Sequence, residues 1–468
     1  MTALPEQGRD FSAVLEDLKA YGSKDPDYKN AKTWSLVYYL GEGFSDFLNQ
    51  AFRLYASANG LNPMAFKSLK RLEADVVRMT ADLLNGDDQV CGIMTSGGTE
   101  SCLLAVKTYR DRARKLKKIK KPEMILPESA HVAWEKGAQY FDVKPVRIPL
   151  KDDYKVNTDL VKKAINRRTV MILGSAPGYP HGVIDDIEAL GQIAASRKIP
   201  LHIDACVGGY LLPFVEALGY DIPPFDFRVP GVTSICADTH KYGFAAKGAS
   251  TILYRNMDTM AHQFFVSTEW PGGVFASPGL LGTRPGGAVA AAWAALMATG
   301  RQGYLDHAKA IMETTATLTR GIAAIPGLEV IGQPKASLFA FRSTEKKLGI
   351  YAVADRMEEQ GWHIDRQQKP ESLHAMVTPM HKDVAEHYLA DLEQSVAHVR
   401  ANPGLSTKGS AATYGMVAKV PLRKMVKKNV LEIMKKSYGP EGGSPELSET
   451  HEQGWKEKLA RLFVRLRS

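Results

Sequence analysis

The chain has 468 residues, 44% apolar and 24% charged, with a net charge of +9. That length allows two or three domains with a substantial core, and the composition is that of a soluble globular protein. Four cysteines (Cys91, Cys102, Cys206, Cys236) sit in apolar stretches without paired spacing, and no HExxH or CxxC occurs, which argues against a disulfide framework and leaves no expected metal site.

The N-terminus, MTALPEQGRDFSAVLEDLKAYGSKD, is charged and lacks the apolar core of a secretory signal. A cytoplasmic location is expected, with delivery into a host by another route left open. Residues 1 to about 60 read as helical arms, because DFSAVLEDLKAYGS and FSDFLNQAFRLYASA carry helix-like apolar spacing. From about 61 to 325, helical patterns such as Thr99 to Arg114 and Asp185 to Arg197 alternate with short β-branched runs. VMILGSAPGYPHG, IPLHIDACVGG, VTSICADTHK and ASTILYR are the clearest runs, and the alternation predicts a mostly parallel sheet covered on both faces. The apolar run Ala288 to Ala298 is too short to span a bilayer and reads as buried helix. After Pro326, LEVIG, SLFAFRS and LHAMVTP read as strands and Ile350 to Gln360 and Asp383 to Ala401 as helices. This predicts a smaller α/β domain over 326–468 with an antiparallel sheet.

Positive charge gathers in RDRARKLKKIKK (Arg110 to Lys121) and RKMVKKNVLEIMKK (Arg423 to Lys436). These are solvated helix faces or, on a sharper reading, contacts to an anionic membrane surface. No nucleic-acid module accompanies them, so nucleic acid is not an expected partner.

Three motifs carry chemistry. In MTSGGTES, glycines and Thr99 precede a helix, where free N–H groups bind phosphate; a plain turn and cap is the competing reading. In LHIDACVGG, Asp204 ends a strand, where an α/β sheet places ligand-binding side chains, unless it merely caps a turn. In DTHKYGFAAKGAS, Lys241 follows the strand VTSICA; a desolvated lysine there can attack an aldehyde, although a lone lysine is more often a surface charge. Together, and in this order, they supply the phosphate cradle, pyridinium partner and amine that pyridoxal phosphate requires. His131 in PESAHVAWEKGA could stack on such a ring or be a satisfied core histidine. A cation near Lys241, Lys247 for instance, would favour its neutral form.

SGGTES, SAHVAW, PHGVID, HIDACVGG, DTHKYG and GTRPGG resemble the group II pyridoxal phosphate-dependent decarboxylase superfamily over about Val37 to Met416. FDFRVPGVTSICADTHKYGFAAKG and WPGGVFASPGLLGTRPGG look more like its sphingosine-1-phosphate lyase branch than its glutamate or aromatic amino acid decarboxylases. The resemblance implies an α/β fold of the aspartate aminotransferase type (fold type I), with a large cofactor-binding domain, a small C-terminal domain and a homodimer sharing active sites. It implies pyridoxal 5'-phosphate as cofactor, with Lys241 as covalent anchor, Asp204 as pyridinium partner and His131 stacking on the ring. Gly98, Thr99 and His240 would hold the cofactor phosphate with Thr283 of the neighbouring chain, and Cys206 joins the same set. Contacts to the substrate phosphate fall on Tyr38 (Tyr39 is one residue away), Asn59, Asn62 and Lys247.

The implied reaction is retro-aldol cleavage of a phosphorylated sphingoid base into a long-chain aldehyde and phosphoethanolamine. Lys241, Lys247 acting through water, and Tyr179 all stand as candidates for the base. Two departures bear on substrate rather than reaction type. Asn62 replaces a family histidine and can donate hydrogen bonds without carrying charge, and Phe275 stands where eukaryotic lyases carry tyrosine, a hydroxyl that Tyr179 can replace. The membrane anchor of eukaryotic members has no counterpart in this sequence, so a soluble form is expected. Two alternatives remain in view: an amino acid decarboxylase, whose substrate carboxylate needs another anchor, and a non-catalytic, membrane-associated cofactor-binding protein.

Overall fold

A computed structural model describes residues 4–23, 25–62, 64–411, 414–415 and 423–440. Met416, at the end of the stretch carrying the resemblance, and the tail beyond 440 lie outside the described residues.

Seven strands form the larger sheet: β1 (Cys91–Thr95), β2 (Glu123–Pro127), β3 (Lys144–Ile148), β4 (Thr169–Ser175), β5 (Leu201–Asp204), β6 (Val232–Ala237) and β7 (Ser250–Tyr254). Their order is β1-β7-β6-β5-β4-β2-β3. β2 to β6 pair in parallel, whereas β7 runs antiparallel to both β1 and β6. Every residue of β2, β4 and β5 is buried. Their near-continuous apolar sequences are what a sheet covered on both faces demands. The covering helices include α3 (Lys67–Leu83), α4 (Gly98–Lys117), α5 (Val132–Phe141), α6 (Thr158–Ala164), α7 (Ile187–Arg197) and α8 (Leu212–Ala217).

The helix expected from Asp185 starts at Ile187 because its two aspartates have other partners. Asp186 is the N-cap, accepting from Ala189 N at 3.0 Å. Asp185 accepts from Val156 N at 2.8 Å and Ser175 N at 2.9 Å, and burial pushes its carboxyl up to about 6.

The described residues among the first 60 hold two helices, α1 (Phe11–Gly22) and α2 (Glu42–Leu54), joined by an extended stretch. α1 buries no residue. In the stretch between, Trp34 is fully buried, donating from its backbone N to His363 O at 3.1 Å and accepting from Met376 N at 2.9 Å. This main-chain clamp fixes the path that leads to Tyr38.

After β7 come α9 (Met257–Met260) and a short hairpin, β8 (Phe265–Ser267) with β9 (Phe275–Ser277). Sequence reading gives no sign of the hairpin, because three-residue strands offer no measurable alternation. α10 (Gly286–Ala324) contains the alanine-rich run and is interrupted at Gly300, whose φ is 58°. Beyond it, β10 (Leu328–Val330), β11 (Leu338–Ser343), β12 (Asp365–Gln368) and β13 (Glu371–Met376) form an antiparallel sheet ordered β10-β11-β13-β12. α11 (Ile350–Glu359) and α12 (Ala385–Ala401) accompany it, and a further helix among the described residues spans Arg423–Ser437. Among the described residues, no helix is long and apolar enough to cross a membrane.

Candidate active site

The carboxyl ends of β1, β4, β5 and β6 meet at one edge of the large sheet, the position where open α/β sheets bind ligands. They border a cleft of ≈ 370 Å³ lined by Gly98, Thr99, His131, Tyr179, Asp204 and Lys241, among others.

From β1 the chain turns through Ser96 and Gly97 into α4. Gly97 has φ 152°, and a Cβ on Gly98 would stand 2.6 Å from Asp238 Oδ2 and 3.0 Å from Cys206 Sγ. Only glycine lets the backbone pass this close. Glu100 holds the turn, its Oε2 accepting from Ser96 N and Oγ at 2.7 Å each. The start of a 20-residue helix, with Thr99 exposed in its first turn, therefore opens on the cleft.

Asp204 ends β5. Its Oδ2 accepts from Trp134 Nε1 at 2.8 Å and its Oδ1 from Cys206 N at 3.1 Å. Burial alone would raise its pKa, but the indole bond and the charges of His131 and Lys241 hold the carboxyl below its usual value. It is a buried carboxylate that stays ionised. His131, the N-cap of α5, accepts from Ala133 N at 3.3 Å through Nδ1, and burial lowers its pKa.

Lys241 follows β6, with Nζ 2.9 Å from Asp238 Oδ2. Burial is the strongest single influence and pulls its pKa down, but the charge and hydrogen bond of Asp238, with Cys206 and Tyr38, together outweigh it and hold the amine well above the ordinary lysine value. This corrects the expectation that a second cation makes Lys241 neutral. The effect falls on Lys247 instead, where burial and then the Lys241 charge lower the pKa to about 8. His240 lies beside them, its Nε2 3.7 Å from Asp238 Oδ2 and its pKa lowered by burial to about 4.

Lys247 does not border the cleft directly. Its Nζ donates to Leu36 O at 2.8 Å and lies 5.1 Å from the centre of the Tyr38 ring. Tyr38 packs edge-on against Tyr242 at 5.0 Å, and burial raises its pKa. Tyr39, the one-residue alternative, packs on Tyr28 instead. Tyr179 does line the cleft, its ring 6.1 Å from that of His131.

The remaining expected residues gather elsewhere. Asn59 Nδ2 donates to Thr283 Oγ1 at 3.2 Å, and Asn62 accepts from Met64 N at 3.0 Å and Ala65 N at 3.3 Å. Phe275 packs against Phe265 and Trp270 in the hairpin. None of these four borders the cleft of its own chain.

Sequence reading passed over several residues. Asp238 lay in the quoted DTHK motif, and its spacing of three before Lys241 was the signal. Trp134, three after His131, was signalled in the same way within SAHVAW. Arg284 lay in the quoted GTRPGG motif, but nothing in it showed that its guanidinium meets the buried Glu73 at 2.9 Å and so anchors the loop carrying Thr283. Nor did the cysteine spacing show that Cys102, Cys206 and Cys236 converge, with sulfurs within 4.8 Å of one another. All three are free thiols, and burial pushes those of Cys102 and Cys236 well above their ordinary range.

The residues fit pyridoxal phosphate. Among the described residues, Asp238 Oδ1 is buried without a hydrogen-bond partner, and the Gly97–Gly98 turn leaves room that any side chain would fill. The ionised, buried carboxylate of Asp204 suits a protonated pyridine, and the amine of Lys241, lining the same cleft, suits an aldehyde. That places the chain among the pyridoxal phosphate-dependent enzymes. Residues 32–344 match the pyridoxal-dependent decarboxylase conserved domain. Sphingosine-1-phosphate lyase of Arabidopsis thaliana is 48% identical over 91% of this chain and 79% of its own, and that of Oryza sativa 46% over 92% and 81%. The solved structure of a Burkholderia pseudomallei sphingosine-1-phosphate lyase superposes with a TM-score of 0.84 at 39% identity, covering 93% of this chain and 97% of that one. The chain belongs to the sphingosine-1-phosphate lyase branch of the pyridoxal-dependent decarboxylase family, and neither the amino acid decarboxylase nor the non-catalytic reading is favoured.

Proposed function

We propose that the protein cleaves sphingosine 1-phosphate or a related phosphorylated sphingoid base by retro-aldol reaction into a long-chain aldehyde and phosphoethanolamine. The observation that carries this reading is the pair of lysines: Lys241, held by Asp238 in the cleft, and Lys247, a second cation close enough to be perturbed by it. One amine anchors the cofactor, which leaves the other to meet a substrate anion.

Bound here, pyridoxal phosphate supplies an electron sink for the bond broken at the substrate α-carbon. Asp204 holds the pyridine nitrogen protonated, His131 covers the ring, and Cys206 stands beside Asp204 in the cleft wall. Gly98, Thr99 and His240 receive the cofactor phosphate. Lys247 and Tyr38 receive the substrate phosphate, and this anchor turns the Cα–Cβ bond into the geometry that lets it break. Lys247 keeps the phosphate-binding role, since its ammonium already bonds a carbonyl outside the cleft. The base is sought among groups that line the cleft.

The reading includes an arm to about residue 60, a cofactor-binding unit over 61–325 and a smaller unit beyond. It also includes a homodimer, in which Asn59, Asn62, Phe275 and Thr283 of one copy serve the cleft of the other; their absence from their own cleft supports this. Basic helix faces touching an anionic membrane would bring the enzyme to its amphiphilic substrate.

The test is incubation of purified protein with sphingosine 1-phosphate and, separately, free sphingosine, followed by mass spectrometry. Aldehyde from the phosphorylated base alone is expected. Equal cleavage of both would remove the phosphate anchor, and carbon dioxide from amino acids without aldehyde would replace the lyase by a decarboxylase.

A further inference from the structure

Tyr179 reaches the cleft on the loop after β4, and that loop is gripped by the small sheet. Tyr179 Oη donates to Asp365 Oδ2 at 3.2 Å, and its ring lies on His374 with centres 4.4 Å apart. Asp365 and His374 face each other in the β12–β13 register. Gln367 Nε2 donates to Pro180 O at 2.8 Å, and His181 Nε2 lies 3.3 Å from Lys369 O. Gly182, with φ 69°, lets the loop pass against β11, since a Cβ there would stand 1.9 Å from Leu338 O.

A phenol has one proton to donate. Spent on Asp365, it leaves only the oxygen lone pairs of Tyr179 for the cleft, so toward a substrate this side chain is an acceptor. The reaction needs such an acceptor. In retro-aldol cleavage the substrate 3-hydroxyl loses its proton as the O–H electrons become the second bond of the aldehyde carbonyl. The Cα–Cβ electrons stay with Cα, which later takes up one proton to give phosphoethanolamine. One proton must therefore be stored between the two steps.

We propose that Asp365, a residue of the small sheet, is the positioning partner that makes Tyr179 the proton acceptor of the lyase reaction and stores the proton between cleavage and product formation. The substrate proton passes to Tyr179 Oη as the Tyr179 proton passes to Asp365 Oδ2, and the same path in reverse returns it to Cα. No other reactant is consumed. The surroundings agree. Burial and Asp365 raise the pKa of Tyr179, so it carries its proton at working pH, and burial lowers that of His374 to about 4, so its ring brings no competing charge. Lys241 and Tyr38 also act on the phenol, and the His131 ring lies 6.1 Å from it.

The inference rests on the lyase reading, and the experiment separates them. Asp365→Asn, Tyr179→Phe and the double variant are purified with cofactor bound and assayed for aldehyde release from sphingosine 1-phosphate. Each single variant should keep the cofactor absorbance and thermal midpoint, lose about 10²-fold in kcat with little change in KM, and the double variant should be no slower than Tyr179→Phe alone. Full activity of Asp365→Asn beside an active wild type would overturn the relay alone, as would losses that multiply in the double variant. Should Asp365→Asn lose its fold, Tyr179→Phe decides: unchanged kcat would overturn the relay. No aldehyde from the wild type would overturn the lyase reading and the relay with it.

Discussion

Asp204 and Lys241 belong to the ends of adjacent parallel strands, β5 and β6, whereas Asn59, Asn62, Thr283 and Phe275 lie on loops and a two-stranded hairpin. The first pair needs no more than the sheet to meet. Once five parallel strands are aligned, their carboxyl ends share an edge, and a carboxylate and an amine placed there by local sequence must face one cleft. The second set depends on chain segments far apart in sequence, and in a single chain the Asn59–Thr283 bond ties two of its members together away from the cleft. On the proposed reading, the cofactor is held from the sheet and the substrate phosphate from loops around it.

The largest expected effect breaks the sheet-borne half. Lys241→Ala should remove the visible absorbance of bound cofactor and lower turnover by more than about 10³-fold, because the covalent handle is lost. Retained colour and turnover would move the anchor elsewhere. Asp204→Asn comes next. It keeps an oxygen for Trp134 but loses the charge that its neighbours maintain despite burial. A fall in kcat of about 10²-fold is expected, with a changed cofactor spectrum and a lowered thermal midpoint, because the buried Cys206 N–H loses its acceptor.

How much of this was legible follows the same division. Alternating apolar runs identified β4, β5, β6 and β7, and with them the strand-end positions of Asp204 and Lys241. Periodicity does not report electrostatic balance. It put Lys247 near Lys241 but could not show that Asp238 would keep Lys241 charged and leave the lowered pKa to Lys247. Family motifs supplied Asn59 and Thr283, yet no pattern in either segment announces Arg284–Glu73, a contact between distant elements that sets their loop. Asp365 was missed for a related reason: β12 (DRQQ) is polar along its length and carries no strand signal.

Lys247 joins the two halves, and its effect is intermediate. Lys247→Ala should retain cofactor colour and raise KM for the phosphorylated substrate by roughly tenfold to a hundredfold, the worth of about 1.5–3 kcal/mol for a hydrogen bond to a charged group. The pH dependence has a definite sign. The folded pKa is lowered to about 8, so the ammonium is fully charged below that pH and lost as pH rises through it. KM should therefore climb above pH 8 in the wild type and stay flat in Lys247→Ala, measured by initial rates across pH 6.5–9.5. A KM that is flat in both would detach Lys247 from the phosphate.

The smallest effect is the most discriminating for the loop-borne half. Asn62 uses its side-chain oxygen on two backbone N–H groups of its own loop, the turn that leads into α3. That bond pattern is a structural duty an asparagine performs well and explains the residue without any ligand. If, in the proposed dimer, its amide also meets a substrate phosphate bound to the other copy, a cation at the same place should do better. Asn62→His is then expected to lower KM for sphingosine 1-phosphate several-fold below the histidine pKa of about 6.5. KM for free sphingosine should not change, while the lost turn bonds lower the thermal midpoint slightly. Asn62→Asp keeps the turn and brings a negative charge, so it should raise KM with the midpoint unchanged. If both variants shift only the midpoint, Asn62 belongs to the loop and not to the substrate, and the phosphate rests on Lys247 and Tyr38.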